Sequence, residues 1–264
     1  MFLTRVLTAA VLLAVFLAAL LLLERAAFAV LVAAVIALGA YEWGNLAGLG
    51  RSLRVAYAAA CMVLFGLLHG SAMVEPVLWA ALLFWTLAVP WWLATGVSPK
   101  RRAWLPAAGI AVLVPAGLAM AGLPPQQLLM ILGLIWISDT AAYLAGRAWG
   151  RRKLAPSISP GKTWEGVAGG AIGCVIYAII WALSDPELRT RVQGVVWILF
   201  LAGTLLLCAL GVVGDLFESA LKRQAGAKDS GKLLPGHGGV LDRIDSATAA
   251  LPVALLLVQA IGAT

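Results

Sequence analysis

The stretch Gly236–Val258, GHGGVLDRIDSATAALPVALLLV, decides how this chain is read. Asp242, Arg243 and Asp245 stand directly against a long apolar run. Carboxylates at the door of a membrane span are costly and mark function by default. Working outward, the same alternation recurs along the chain: long apolar runs joined by short polar ones. Of the 264 residues, 62% are hydrophobic and 12% are charged. Runs of about 18 or more apolar residues read as transmembrane helices. A β-barrel would alternate polar and apolar residues in segments of about 10, and this chain does not. The predicted fold class is therefore all-α, a polytopic integral membrane protein of about nine transmembrane helices. The expected spans are 6–23, 26–41, 55–70, 76–94, 104–122, 127–146, 166–183, 195–213 and 246–263.

Lys and Arg mark the cytoplasmic side of a membrane protein. With the N-terminus in the cytoplasm, the segments on that side hold 16 Lys and Arg and the opposite side holds 3 (Arg25, Arg189 and Arg191). The net charge of +7 is thus explained by topology and by attraction to anionic headgroups. It calls for no nucleic acid. Cys61, Cys174 and Cys208 lie in apolar spans at spacings that match no metal site, and read as small core residues. The apolar run near the N-terminus exceeds the 7–15 residues usual for a signal peptide and reads as a retained first helix.

No internal repeat is evident, which weighs against inverted-repeat transporters. The chain reads as a single transmembrane domain over 1–264, with 1–130 mainly embedding helices and 131–264 the half that carries the chemistry. In ISDTAAY, Asp139 falls inside the sixth span. It reads either as a structural carboxylate paired with an arginine or as a ligand for a cation or a substrate hydroxyl. In PSISPGKTWEG, Gly161-Lys162-Thr163 invites a P-loop reading, but that motif needs Gly at position 156, where Pro156 stands. Lys162 and Thr163 nevertheless precede a helix start, where backbone N–H groups favour phosphate.

The segment 214–245 holds five basic and five acidic residues. Gly236, Gly238 and Gly239 flank His237, and glycine lets backbone approach a ligand closely. His237 reads as a phosphate or base contact. Asp242 and Asp245 are spaced i,i+3, on one helix face. With Asp215 they would make an oxygen-rich pocket suited to Mg²⁺, and Arg243 could hold a phosphate.

These residues carry a resemblance. The segment SALKRQAGAKDSGKLLPGHGGVLDRID resembles the signature of the phosphatidate cytidylyltransferases, or CDP-diacylglycerol synthases. The matching positions are Ser219, Lys222-Arg223, Lys228-Asp229, His237-Gly238-Gly239, Asp242-Arg243 and Asp245, with no departure among them. SPGKTWEG, SDTAAY and GDLFES also match pieces of that family over about 139–246; the first half matches only in hydropathy and in Tyr41-Glu42-Trp43. The resemblance implies transfer of a cytidylyl group from CTP to phosphatidate, giving CDP-diacylglycerol and pyrophosphate, with Mg²⁺ and room for a second cation. It implies that Asp215, Asp242 and Asp245 hold metal. Lys162, Lys222, Arg223, Lys228 and Arg243 would neutralise phosphates, with Asp229 and His237 in the catalytic set. Ser159, Thr163, Ser219, Gly238, Gly239 and Asp139 would line the substrates. It further implies a site at the cytoplasmic surface of the inner membrane and a homodimer. The reading from another class is a membrane transporter or ion-coupled carrier, since Asp139 lies within a span. A purely structural scaffold would not need such a density of Asp and Lys beside glycines.

Overall fold

The computed structural model describes residues 2–96, 99–234, 236 and 238–260. Each of the nine expected spans coincides with helix over its described residues, except for the end residues Leu23, His69, Gly70 and Val195. They correspond to α1 (Phe2–Leu22), α2 (Arg25–Leu46), α3 (Arg51–Leu68), the pair α4 (Val74–Leu83) and α5 (Val89–Ala94), α6 (Leu105–Gly122), α7 (Pro125–Trp149), α8 (Trp164–Ser184), α10 (Val196–Gln224) and α11 (Leu241–Ala260). A short helix, α9 (Pro186–Arg191), links α8 to α10. Seven of the long helices have the length and apolarity to cross a bilayer. The other two are α1, short by that measure at Val6–Leu22, and α11, which opens with Asp242, Arg243 and Asp245.

Between α4 and α5 the helix widens into a π turn, Phe84–Ala88, where Val89 N–H reaches back to the Phe84 carbonyl. Pro90, just beyond, has no N–H to give, and such a turn absorbs the mismatch. The turn aims Trp85 inward, where it meets Phe217 edge-on with ring centroids 5.8 Å apart.

α11 is the central helix. Every residue from Ser246 to Leu256 is buried, and a helix buried all round must be apolar or small on every face. α10 crosses it closely: a Cβ on Gly214 would meet the Asp245 carbonyl oxygen at 2.6 Å. α7 and α8 likewise approach through small residues. A Cβ on Gly170 would lie 3.0 Å from the Ser138 carbonyl, and one on Gly173 would lie 2.9 Å from the Ala141 Cβ. Helices in lipid gain little from hydrophobic burial against each other, so close backbone approach supplies the attraction.

Helix is interrupted by one feature the hydropathy did not announce. β1 (Lys153–Ala155) and β2 (Ser159–Thr163) form an antiparallel hairpin between α7 and α8. Pro160 and Gly161 give β2 no strand-like pattern in the sequence. The hairpin ends on Thr163, whose hydroxyl oxygen caps α8 by accepting the Gly166 N–H at 3.1 Å. The Glu165 carboxylate accepts N–H bonds from Arg151 and Arg152 at 3.1–3.2 Å, tying the end of α7 to the start of α8.

Gly170→Val should force α7 and α8 apart and lower the protein's thermal stability in detergent by about 1–3 kcal/mol. A melting temperature equal to wild type would show that the contact is not tight.

Candidate active site

A cavity of about 630 Å³ opens at the end of the bundle where the hairpin sits. Its polar walls come from four places in the chain. Asp139 projects from α7, Ser159, Lys162 and Thr163 from β2, Asp215 and Lys222 from α10, and Asp242, Arg243 and Asp245 from the start of α11. Asp229, in the α10–α11 connection, completes the rim. Residues more than a hundred positions apart thus share one space, as the sequence pattern led us to expect.

Within it, the Lys162 ammonium pairs with Asp215 at 2.7 Å. Lys222 lies between two acids, bonding Glu218 at 2.5 Å and Asp242 at 2.7 Å. Glu218 is buried, and its second oxygen has no partner among the described residues. Ser219 donates to Asp215 at 3.2 Å, within α10.

Asp242 is engaged differently from the other two acids expected to bind metal. Its Oδ1 accepts from Lys222. Its Oδ2 accepts the Ser230 N–H at 2.9 Å and the Gly239 N–H at 2.8 Å, with the Ser230 hydroxyl also 2.9 Å away. Both oxygens thus accept from protein donors, and in this arrangement the carboxylate holds the loop and Lys222 while it also lines the cavity. Asp242 stands before the apolar stretch, at the start of α11. Burial pushes its carboxyl up, but the Lys222 ammonium and the N–H groups of Gly239 and Ser230 outweigh that, and the net shift is downward.

Asp245 accepts its neighbour's N–H, from Ser246, at 2.7 Å. It is close enough to Asp215 and Asp139 for the three charges to repel one another. Three carboxylates around one space, with a single lysine bonded to Asp215, are the hard oxygen donors that a divalent cation prefers. The donor chemistry therefore fits such an ion. Among the described residues, however, no three acidic, histidine or cysteine side chains are gathered closely enough to coordinate one ion together.

Other expected site residues lie outside the cavity wall. Arg223 is exposed, and its Nε donates to the Ile158 carbonyl at 3.3 Å, linking α10 to the hairpin. Lys228 is exposed beside the cavity rather than in its lining. Gly238 has a φ of +79°, a value that favours glycine, and pairs with Leu234 in an isolated bridge. Gly239 is buried behind it. His237 lies outside the described residues. Thr163 faces the cavity but spends its acceptor on the α8 cap.

The sequence reading missed three participants. Tyr143 and Arg147 line the cavity one and two turns beyond Asp139, with Arg147 donating to the Tyr143 hydroxyl at 3.3 Å. Helical spacing from Asp139 was the signal available. The third is Glu42, from α2, which is buried and accepts the N–H groups of Val240 and Leu241, each at 3.0 Å. Its signals were a lone carboxylate at the end of the second apolar run and its place in the Tyr41-Glu42-Trp43 match.

The fold and the cavity define a class: a helical membrane protein with a charged basin at one end of an apolar bundle. Over residues 3–261 the chain matches the profile of the Cytidylyltransferase family, and it belongs to that family. It is 43% identical to the phosphatidate cytidylyltransferase of Pseudomonas aeruginosa over 271 residues, covering 98% of this chain and 97% of that one. It is 35% identical to the phosphatidate cytidylyltransferase of Thermotoga maritima over 234 residues, covering 86% of each. The enzyme of that name from Haemophilus influenzae is 48% identical over 125 residues, 47% of this chain and 43% of the relative.

The depressed Asp242 carboxyl sets a direction for stability with pH. Its contribution is fully present above the unfolded Asp value of about 4 and is lost as pH falls through the lower folded value. Acid melting curves should therefore show this loss in the wild type. Asp242→Asn should be about 1–3 kcal/mol less stable at neutral pH, with a smaller decline on acidification. An acid profile parallel to wild type would remove Asp242 from this role.

Proposed function

We propose that this chain transfers the cytidylyl group of CTP to phosphatidate, giving CDP-diacylglycerol and pyrophosphate, in phospholipid synthesis. The observation that carries the reading is the single cavity in which Lys162, Lys222 and Arg243 meet Asp139, Asp215 and Asp245 beside apolar helices. It offers a place where a soluble polyanion reaches a lipid-borne one.

An oxygen of phosphatidate's phosphate attacks the α-phosphorus of CTP. The new P–O bond forms as the bond from the α-phosphorus to the bridging oxygen of the β-phosphate breaks, and pyrophosphate carries away that electron pair. A phosphate monoester has a second pKa near 6, so the nucleophile is largely ionised at neutral pH and no strong base is needed. The barrier is repulsion between two anions, and relieving it is work for positioned positive charge. Lys162, from β2, and Arg243, from α11, supply it. Lys222 adds a third charge, held in place by Glu218 and Asp242.

Asp215 and Asp245, with Asp139 nearby, would hold Mg²⁺. Bound there, the cation would neutralise phosphate oxygens and orient the triphosphate for in-line displacement. Lys162 limits the repulsion between these acids through its bond to Asp215. Thr163 keeps Lys162 in register by fixing the turn into α8.

The basic-residue asymmetry supports nine spans with the N-terminus and the basin on the cytoplasmic side of the inner membrane. CTP would then arrive from the cytoplasm while the acyl chains stay in lipid. An ion-coupled carrier lacks comparable support: most of the charged groups crowd one end of the bundle rather than its midplane.

The test is incorporation of labelled CTP into phosphatidate by protein purified in detergent. Activity should vanish on chelation and return with Mg²⁺. Asp245→Asn should lower turnover at least about 100-fold while the melting temperature stays near wild type. Full activity in that variant would refute the cation assignment, and no CTP incorporation by the wild type would refute the reaction.

A further inference from the structure

Glu42 lies far from the charged segments in sequence and belongs to no wall of the cavity, yet its carboxylate is bonded throughout. It is 7% exposed. Oε1 accepts the Val240 N–H at 3.0 Å. Oε2 accepts the Leu241 N–H at 3.0 Å and lies 3.0 Å from the Ser230 hydroxyl. Among the described residues no Lys, Arg or His pairs with it. A buried carboxylate without a counter-ion is expensive unless donors surround it. Here the donors are the first N–H groups of α11, which have no partner within their own helix. The positive end of that helix also favours a negative charge.

The neighbouring glycines fit this account. Gly231 and Gly239 have no positive φ; what they lack is space. A Cβ on either would run into the Glu42 carboxylate, and on Gly239 also into the Ser230 hydroxyl. The backbone at Gly231 and Gly239 is therefore closed against Glu42. From there a bonded path leads to the cavity. The Ser230 hydroxyl has one proton, to be given to Glu42 or to Asp242. Asp242 in turn holds Lys222. Arg243 and Asp245 follow within the first turns of the helix whose start Glu42 fixes.

We infer that Glu42 is a positioning residue for cytidylyl transfer: it clamps Ser230, Val240 and Leu241, and with them the start of α11, so that Lys222, Arg243 and Asp245 face the substrates. Glu42 touches no substrate and acts through the loop. This rests on the roles proposed above, Lys222 and Arg243 against the phosphates and Asp245 at the cation.

Glu42→Gln tests it, since the amide keeps the size but offers one acceptor where two are used. In the purified variant, kcat/KM for CTP should fall about 10- to 100-fold, the order set by one buried donor left unpaired. The KM for phosphatidate should stay within about twofold of wild type. Hydrogen exchange of peptides covering 230–241 should quicken without added substrate, while peptides from α3 and α8 keep wild-type rates. Ser230→Ala, a milder change, should move the same measurements in the same direction, and it serves if Glu42→Gln does not fold. Wild-type kinetics and exchange in the variant that folds would overturn the inference. So would faster exchange throughout the chain with both KM values unchanged, because Glu42 would then serve folding alone. Exchange is read without turnover, so it separates failure of the clamp from failure of the proposed reaction, which CTP incorporation by the wild type probes.

Discussion

A helix that starts inside a membrane protein brings N–H groups that neither lipid nor its own backbone can satisfy. The start of α11 is such a place, and the remainder of the site depends on how its donors are met. Glu42 takes two of them from across the bundle, and Asp242 reaches back for the Gly239 N–H. Both are carboxylates, so the solution imports charge. That charge is stabilised by the helix end for Glu42 and by Lys222 for Asp242. Anchored this way, α11 runs buried through the middle of the bundle and carries Arg243 and Asp245 at a defined height on its first turns.

The same constraint explains the composition of the surrounding helices. α10 must pass close to Asp245 to bring Asp215 alongside, and Gly214 lets it do so. α8 must sit close to α7 so that Lys162 and Asp139 share a wall, and glycines along α8 allow that approach. The hairpin then works as a bracket. It leaves α7, returns, and delivers Lys162 at 2.7 Å from Asp215 before Thr163 starts the next helix. Apolar helices surround a basin of charges because one reactant is soluble and the other is held in the bilayer. Neither a soluble pocket nor a buried channel would serve both.

The fold class was legible from hydropathy because lipid demands it: each apolar run long enough to span had to satisfy its backbone internally, which means helix. The charged half was legible too, since charges beside glycines against apolar runs have few structural uses. Asp139, Lys162, Asp215, Arg243 and Asp245 were all named from sequence and share the cavity. The hairpin was not legible, because two strands of three and five residues leave no periodic trace. The bonding of Asp242 within the protein was not legible for another reason. Its i,i+3 spacing from Asp245 is local information, whereas its engagement with Ser230, Gly239 and Lys222 depends on how a 16-residue connection folds back.

What the sequence determined by itself was the solvent each segment must face and the stock of charges available for chemistry, because hydropathy and charge are properties of residues in order. What the tertiary structure decided was which charges are spent on one another and which remain for a ligand. Glu42 is bonded to the protein away from the cavity, Asp242 is bonded to the protein at its edge, and Asp245 and Arg243 line it with fewer protein partners. That division follows from distances of about 3 Å between atoms nearly 200 residues apart in the chain. No property of either residue alone encodes such a distance; it exists once the helices have packed.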